Sequence, residues 1–282
     1  MSRLVGVHGV GNHQPTMTPI HAATWLSQVW TRYLTSERTA SPASFDLRVA
    51  YYAHHLVPAG QQGTIGDDPT TLDPDAQAML LAWVAQLGAS AEVAQGYGSL
   101  PIRQAISWVA VHFDLPHNSV NWFVTHFFGE IATYLGDQGR RVAARDVVAN
   151  LIARHTPSVV LAHSLGSVVT YETLWAYPDL HVDLLITLGS PLGMPNVVFD
   201  QLRPNPVSGY GTRPPGVARW VNLADPGDLI AIPRHLARRF HGIDLDDERA
   251  IHAFDFHRVA NYLACRTAQT QLAPYLSRSR LR

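Results

Sequence analysis

The spacing of apolar positions changes along the chain, and each change predicts an element. Residues 4–7, Leu-Val-Gly-Val, form a short apolar run of β type that stops at Gly9 and Gly11. Across residues 20–34, Trp25, Leu26, Val29, Trp30 and Tyr33 recur at the spacing of one helix face. Residues 45–52 then alternate Phe45, Leu47, Val49 and Tyr51 against Asp46, Arg48 and Ala50, the period of a strand. Farther on, residues 141–155 predict an amphipathic helix that stops before Pro157, and residues 158–162 a strand buried on both faces. A helix over 165–175, strands over 182–188 and 219–223, and a final helix over 258–272 complete the pattern. Short apolar strands separated by helices predict an α/β fold: a mostly parallel sheet with helices on both faces.

Residues 58–136 keep a helical rhythm but offer no strand. Asp73 and Pro74 start a helix that carries Met79, Leu80, Trp83, Val84 and Leu87. A second helix begins near Pro101, and a third spans 120–135. Between Ala76 and Gly129 only Glu92, Arg103 and Asp114 are charged, whereas Trp83, Trp108, Trp122, Phe113, Phe123, Phe127 and Phe128 all fall there. Two compatible readings follow: a helical unit packed on the core, and a cap whose apolar inner face forms a substrate pocket. The expected organisation is a core of residues 1–57 and 137–282 interrupted by a helical cap over 58–136. Residues 203–216, rich in Pro and Gly, read as a loop.

Composition narrows the chemistry. The chain has 282 residues, 46% hydrophobic and only 15% charged, and every one of its 21 Lys+Arg residues is arginine. Without lysine there is no Schiff-base, pyridoxal-phosphate, phosphate-loop or serine–lysine chemistry. The single cysteine, Cys265, excludes an internal disulfide framework and a multi-cysteine metal site. A net charge of −1 gives no electrostatic case for a nucleic-acid partner. The 15 histidines are scattered. A zinc site is conceivable near His8, His13 and His21 or at His54-His55, but the spacing of a metalloprotease helix is missing, so no metal and no other cofactor is expected. Residues 1–9 lack the features of a signal peptide. The longest uncharged stretch, 4–31, is broken by His8, Asn12, His13, Gln14, Pro15 and Pro19, so no transmembrane segment is expected. The expectation is a soluble, cytoplasmic protein.

The candidate chemistry lies at strand ends. Ala162-His163-Ser164-Leu165-Gly166 joins a predicted strand to a predicted helix, the bend that lifts a nucleophilic serine hydroxyl clear of a sheet. The Leu165 N–H, at the new helix start, would face a developing oxyanion. His8-Gly9-Val10-Gly11, directly after the first strand, can bring the Val10 N–H to the same place, because glycines let backbone approach closely. Two aspartates compete for the acidic role: Asp228, ahead of an apolar stretch, is preferred over Asp225, which suits a turn cap. Two histidines compete for the base: His257, on a loop before the last helix, is preferred over His252. His163 reads as a residue packed beneath the serine. His8, Trp122, Phe123 and Pro191 are the expected substrate contacts.

The order Ser164, Asp228, His257 behind an oxyanion loop resembles the α/β-hydrolase superfamily, and more narrowly its lipase and esterase branch. The Ala-His-Ser-Leu-Gly bend, Thr187-Leu188-Gly189-Ser190-Pro191-Leu192, Asp228-Leu-Ile-Ala and His257-Arg-Val-Ala-Asn-Tyr262-Leu263 are similar to stretches of that branch. Ala162 departs from its usual glycine. The resemblance covers residues 3–57 and 138–270 and leaves out the helical middle, which is the variable cap in such enzymes. It implies a serine hydrolase that cleaves an ester-type bond of a small hydrophobic acyl substrate through an acyl-enzyme. The alternatives are a thioesterase or acyltransferase-like cyclase, a peptidase, or a catalytically silent binding protein of the same fold. An apolar middle left exposed would instead make a homodimer or membrane-contact surface.

Overall fold

The computed structural model describes residues 1–35, 45–57, 68–90, 100–251 and 257–277. Strand β1 (Ser2–Val7) leads through helix α1 (Pro19–Thr35) to β2 (Phe45–Ala50). Three helices follow, α2 (Pro74–Gln86), α3 (Leu100–His112) and α4 (His117–Gly136), and α5 (Gln138–His155) returns the chain to the sheet. Then come β3 (Val159–His163), α6 (Leu165–Ala176) and β4 (Val182–Leu188). The short β5 (Gly211–Thr212), β6 (Val217–Ala224), the short β7 (Phe240–His241) and β8 (Leu245–Glu248) precede α7 (Val259–Ala264) and α8 (Arg266–Ser277).

The central sheet has six strands in the order β2-β1-β3-β4-β6-β8, and every neighbouring pair is parallel. Alternate side chains enter two separate apolar layers, as a sheet covered on both faces requires. Leu4, Leu47, Val49, Leu161, Leu184 and Ile186 pack with α1, α7 and α8. Val5, Val7, Val160, Ala162, Leu185 and Trp220 pack on the other face with α5, α6 and the inserted helices. Val159, Val160 and Leu161 are wholly buried, and each such side chain contributes on the order of 2 kcal/mol. The architecture is an α/β fold with a parallel sheet, and it is compatible with a hydrolase fold.

The inserted helices share the sheet's core. Trp83, Phe127 and Phe128 lie in one continuous layer with Val160 and Leu165. The Asp73 side chain caps α2 by accepting the Ala76 N–H at 2.8 Å, with Pro74 at its first turn, as the sequence predicted. Trp83 Nε1 donates to the Leu229 carbonyl at 2.7 Å, tying α2 to the loop after β6. Leu100, Val111 and Trp122 remain exposed. Among the described residues, no helix is long and apolar enough to cross a membrane.

Two expectations are corrected, and one strand was not foreseen. The predicted final helix 258–272 is two helices. Cys265 turns extended with ψ 146°, and its sulfur accepts the Ala268 N–H at 3.4 Å in the manner of an N-cap. The acidic segment Leu245–Glu248 is an edge strand, although its composition disfavours one, because Asp246 accepts from Asn222 Nδ2 at 2.9 Å and Asp247 from Thr267 Oγ1 at 3.0 Å. The predicted loop 203–216 contains β5, which pairs with β7.

Candidate active site

The sheet order puts a crevice at the carboxyl ends of β1 and β3. From β1 the chain leaves towards α1 on one face, and from β3 towards α6 on the other. Loops that diverge from adjacent strands leave room between them, the usual ligand position of an open parallel sheet. Residues 8–12 and Ser164 line that crevice.

Ser164 sits in a strained bend, with φ 55° and ψ −131°, between β3 and α6. A non-glycine residue held there costs on the order of 1–3 kcal/mol, so its surroundings must enforce the conformation. They do so tightly. The Ser164 N–H donates to the Leu188 carbonyl at 3.0 Å, and Ser167 donates to the Ser164 carbonyl from its N–H at 2.9 Å and its hydroxyl at 2.6 Å. A Cβ on Gly166 would collide with the carbonyl oxygens of Val7 and His8, and one on Gly9 would come within 2.6 Å of Ser164 Cβ. The two small residues let β1's loop lie directly against the serine.

A hydrogen-bonded line runs through this serine. Ser164 Oγ lies 2.6 Å from His257 Nε2, and His257 Nδ1 lies 2.8 and 3.0 Å from the two Asp228 oxygens. Tyr262 donates to Asp228 Oδ2 at 2.7 Å, and the Ile230 N–H donates to Oδ1 at 2.8 Å. Burial opposes ionisation of Asp228, but His257 and these hydrogen bonds outweigh it and hold the carboxyl at about 2. Asp225, the competing aspartate, accepts the N–H groups of Gly227 and Ile251, both at 2.7 Å, and so closes its own turn. His252 lies outside the described residues.

Of the two expected backbone donors, Val10 lines the cavity and Leu165 directly follows Ser164 at the start of α6. Among the described residues neither the Val10 nor the Leu165 N–H has a protein acceptor. The peptide that carries the Val10 N–H is pinned through the Gly9 carbonyl, which accepts from Asn12 Nδ2 at 3.0 Å and from His8 Nδ1 at 2.8 Å. His8 Nε2 in turn takes the Tyr52 N–H at 3.3 Å, and its ring stacks on Tyr52 at 4.3 Å. Burial pushes His8 down to about 4, so it is the neutral tautomer with its proton on Nδ1. Both His8 nitrogens are therefore taken by the protein, and although the ring forms part of the crevice wall it has no free nitrogen for a substrate.

The other expected contacts divide. Trp122 and Phe123 line the cavity, whose volume is about 520 Å³, together with Trp30, Leu115, Pro116 and Val259. Pro191 is buried beyond the end of β4 and is not among the lining residues. His163, read as a packing residue, lines the cavity with its ring 4.7 Å from that of His257. Burial and then the nearby His257 hold it well below the ordinary histidine range.

Two contributors went unassigned in the sequence. Tyr262 stood in a recognisable His-to-Tyr-Leu run, yet only the fold shows its hydroxyl between Asp228 and the Asp225 N–H, which it accepts at 3.0 Å. Gly189, at φ +53°, leaves room for this pair, because a Cβ there would meet Asp228 Oδ2 at 2.5 Å. Chemically, an aspartate–histidine–serine line can deprotonate the serine hydroxyl, and backbone N–H groups without protein acceptors are of the kind that hold an oxyanion. Compared with models of known families, with curated proteins and with solved structures, the chain matches none.

Proposed function

We propose that this protein is a serine hydrolase that cleaves an ester-type bond of a hydrophobic substrate through an acyl-enzyme. The observation that carries the reading is the unbroken line from Asp228 through His257 to Ser164, with Ser164 at φ 55° on the wall of an apolar cavity. Ser164 Oγ attacks the substrate carbonyl carbon while His257 Nε2 takes the hydroxyl proton. Asp228 keeps the imidazole oriented and balances the charge that forms on it. The Val10 and Leu165 N–H groups receive the oxyanion. The tetrahedral intermediate collapses, and His257 returns the proton to the departing alcohol. Water then repeats the sequence on the acyl-serine, releasing the acid and restoring Ser164. Trp30, Leu115, Trp122, Phe123 and Val259 favour an apolar acyl group in the cavity.

The test is Ser164→Ala on a chromogenic ester, with the purified protein compared before and after the change. Turnover is expected to fall by roughly 10³-fold or more. A fluorophosphonate should add one adduct, mapped to Ser164 by mass spectrometry. Near wild-type hydrolysis by the variant, or labelling elsewhere, would overturn the assignment.

A further inference from the structure

Glu130 lies deep in α4, far from Ser164 in sequence, and the mechanism above does not use it. Its side chain is 3% exposed. Oε1 accepts the Gly11 N–H at 2.7 Å, and Oε2 has no hydrogen-bond partner among the described residues. A buried carboxyl with one oxygen unpaired costs free energy. Gly11 immediately follows Val10, which lines the same cavity as Ser164 and carries one of the N–H groups assigned to the oxyanion above. The same stretch meets α4 a second time: a Cβ on Gly11, at φ +71°, would lie 2.8 Å from the Trp122 ring. Asn12 holds the loop from within, through the Gly9 and Val10 carbonyls at 3.0 Å each. Glu130 is thus the anchor that fixes residues 9–11 to a rigid helix.

We propose that Glu130 is a positioning residue for the oxyanion donor of Val10, and that it does this as a neutral carboxylic acid. The inference rests on the serine-hydrolase reading. In the acid form Oε1 accepts the Gly11 N–H and Glu130 adds no negative charge behind the donor loop. Burial, partly offset by the Gly11 hydrogen bond, raises Glu130 to about 8. The titratable groups facing it are Tyr51 and Tyr52, with His54 stacked on Tyr51 and His8 on Tyr52. Tyr51 and Tyr52 are both raised by burial and His8 and His54 lowered by it, so all four stay neutral from about pH 5 to 9. Above about 8 the ionised carboxylate would place a negative charge behind the donor loop and oppose the oxyanion.

The experiment compares Glu130→Ala and Glu130→Gln with the wild type, each normalised to active sites by fluorophosphonate titration. Glu130→Ala is expected to lower kcat by on the order of 10²-fold with KM nearly unchanged, the effect of a displaced donor. Glu130→Gln keeps an acceptor for Gly11, so it should restore most of kcat at neutral pH and abolish the alkaline decline in kcat expected above about 8 in the wild type. A merely structural role would lower the titrated fraction but leave kcat per active site and the pH profile unmoved. That outcome, or an alkaline decline that persists in Glu130→Gln, would overturn the proposal while leaving the Ser164 reading intact. Failure of the wild type to label at Ser164 would instead remove the hydrolase reading itself.

Discussion

Tyr262 and Glu130 show how single buried groups set the pH range of this fold. Asp228 titrates at about 2 against an ordinary 3.8, so its native contacts add stability above pH 3.8 that is lost as pH falls through about 2. That contribution is about 2 kcal/mol by linkage. Tyr262→Phe removes one donor to Asp228 and the acceptor of the Asp225 N–H. Urea unfolding should show a loss of about 1–2 kcal/mol at pH 7, shrinking near pH 2 to the part owed to Asp225. A pH-independent loss would mean that the Asp228 contact contributes nothing. Glu130 has the opposite sign. Its carboxyl is raised from 4.5 to about 8, so stability is greatest below pH 4.5 and falls as pH rises through about 8. Glu130→Gln cannot ionise, and by pH 8 it should exceed the wild type by about 3–5 kcal/mol more than it does at pH 4. Equal pH slopes for the two proteins would refute that linkage.

Among the elements, α4 touches the most parts of the candidate site. It holds the Gly11 N–H through Glu130, lines the cavity with Trp122 and Phe123, and sets the Phe123 ring edge-on to His257 at 5.8 Å. The junction of α4 and α5 is locked in turn to α6, the helix that begins directly after Ser164. Arg141 forms a buried ion pair with Glu172, and Tyr134 donates to Glu172 Oε2 at 2.7 Å. The Arg203 N–H and the Gln201 carbonyl complete the network at 2.9 and 2.7 Å. Breaking it from one side leaves a buried charge unpaired, so Glu172→Leu should cost about 3–5 kcal/mol. The double change Arg141→Met with Glu172→Leu should recover most of that in urea midpoints. A double variant as unstable as the single one would show that packing, not charge, dominates there.

At the scale of the molecule, the insertion and the sheet share one core layer, with Trp83 and Phe127 against Val160 and Leu165. A shared layer predicts shared unfolding. Far-UV circular dichroism and tryptophan emission, which samples Trp83 in the insertion and Trp220 in the sheet, should follow one urea transition. Two separated transitions would mean that the insertion has a core of its own.

Much of this was legible in the residues. Strands β1, β3 and β4 announced themselves as short apolar runs, and Ser164 stood out because a strand–turn–helix bend leaves a local mark in small flanking residues. Asp228 could be preferred over Asp225 because turn chemistry is also local. Other features carried no such mark. The acidic strand β8 was invisible because its pairing with β6 and its hydrogen bonds from Asn222 and Thr267 override its poor propensity. Glu130 carries no local mark of its role, since its partner Gly11 lies 119 positions away. Periodicity and turn residues reflect contacts within a few positions, and these determined the α/β class, the element order and the competing candidates for the triad. Which carboxylate meets His257, where His8 spends its nitrogens and which carboxyl lies behind Gly11 were decided only by tertiary structure. Those contacts join distant segments in a dry interior, where each polar atom must find its partner in space rather than along the chain.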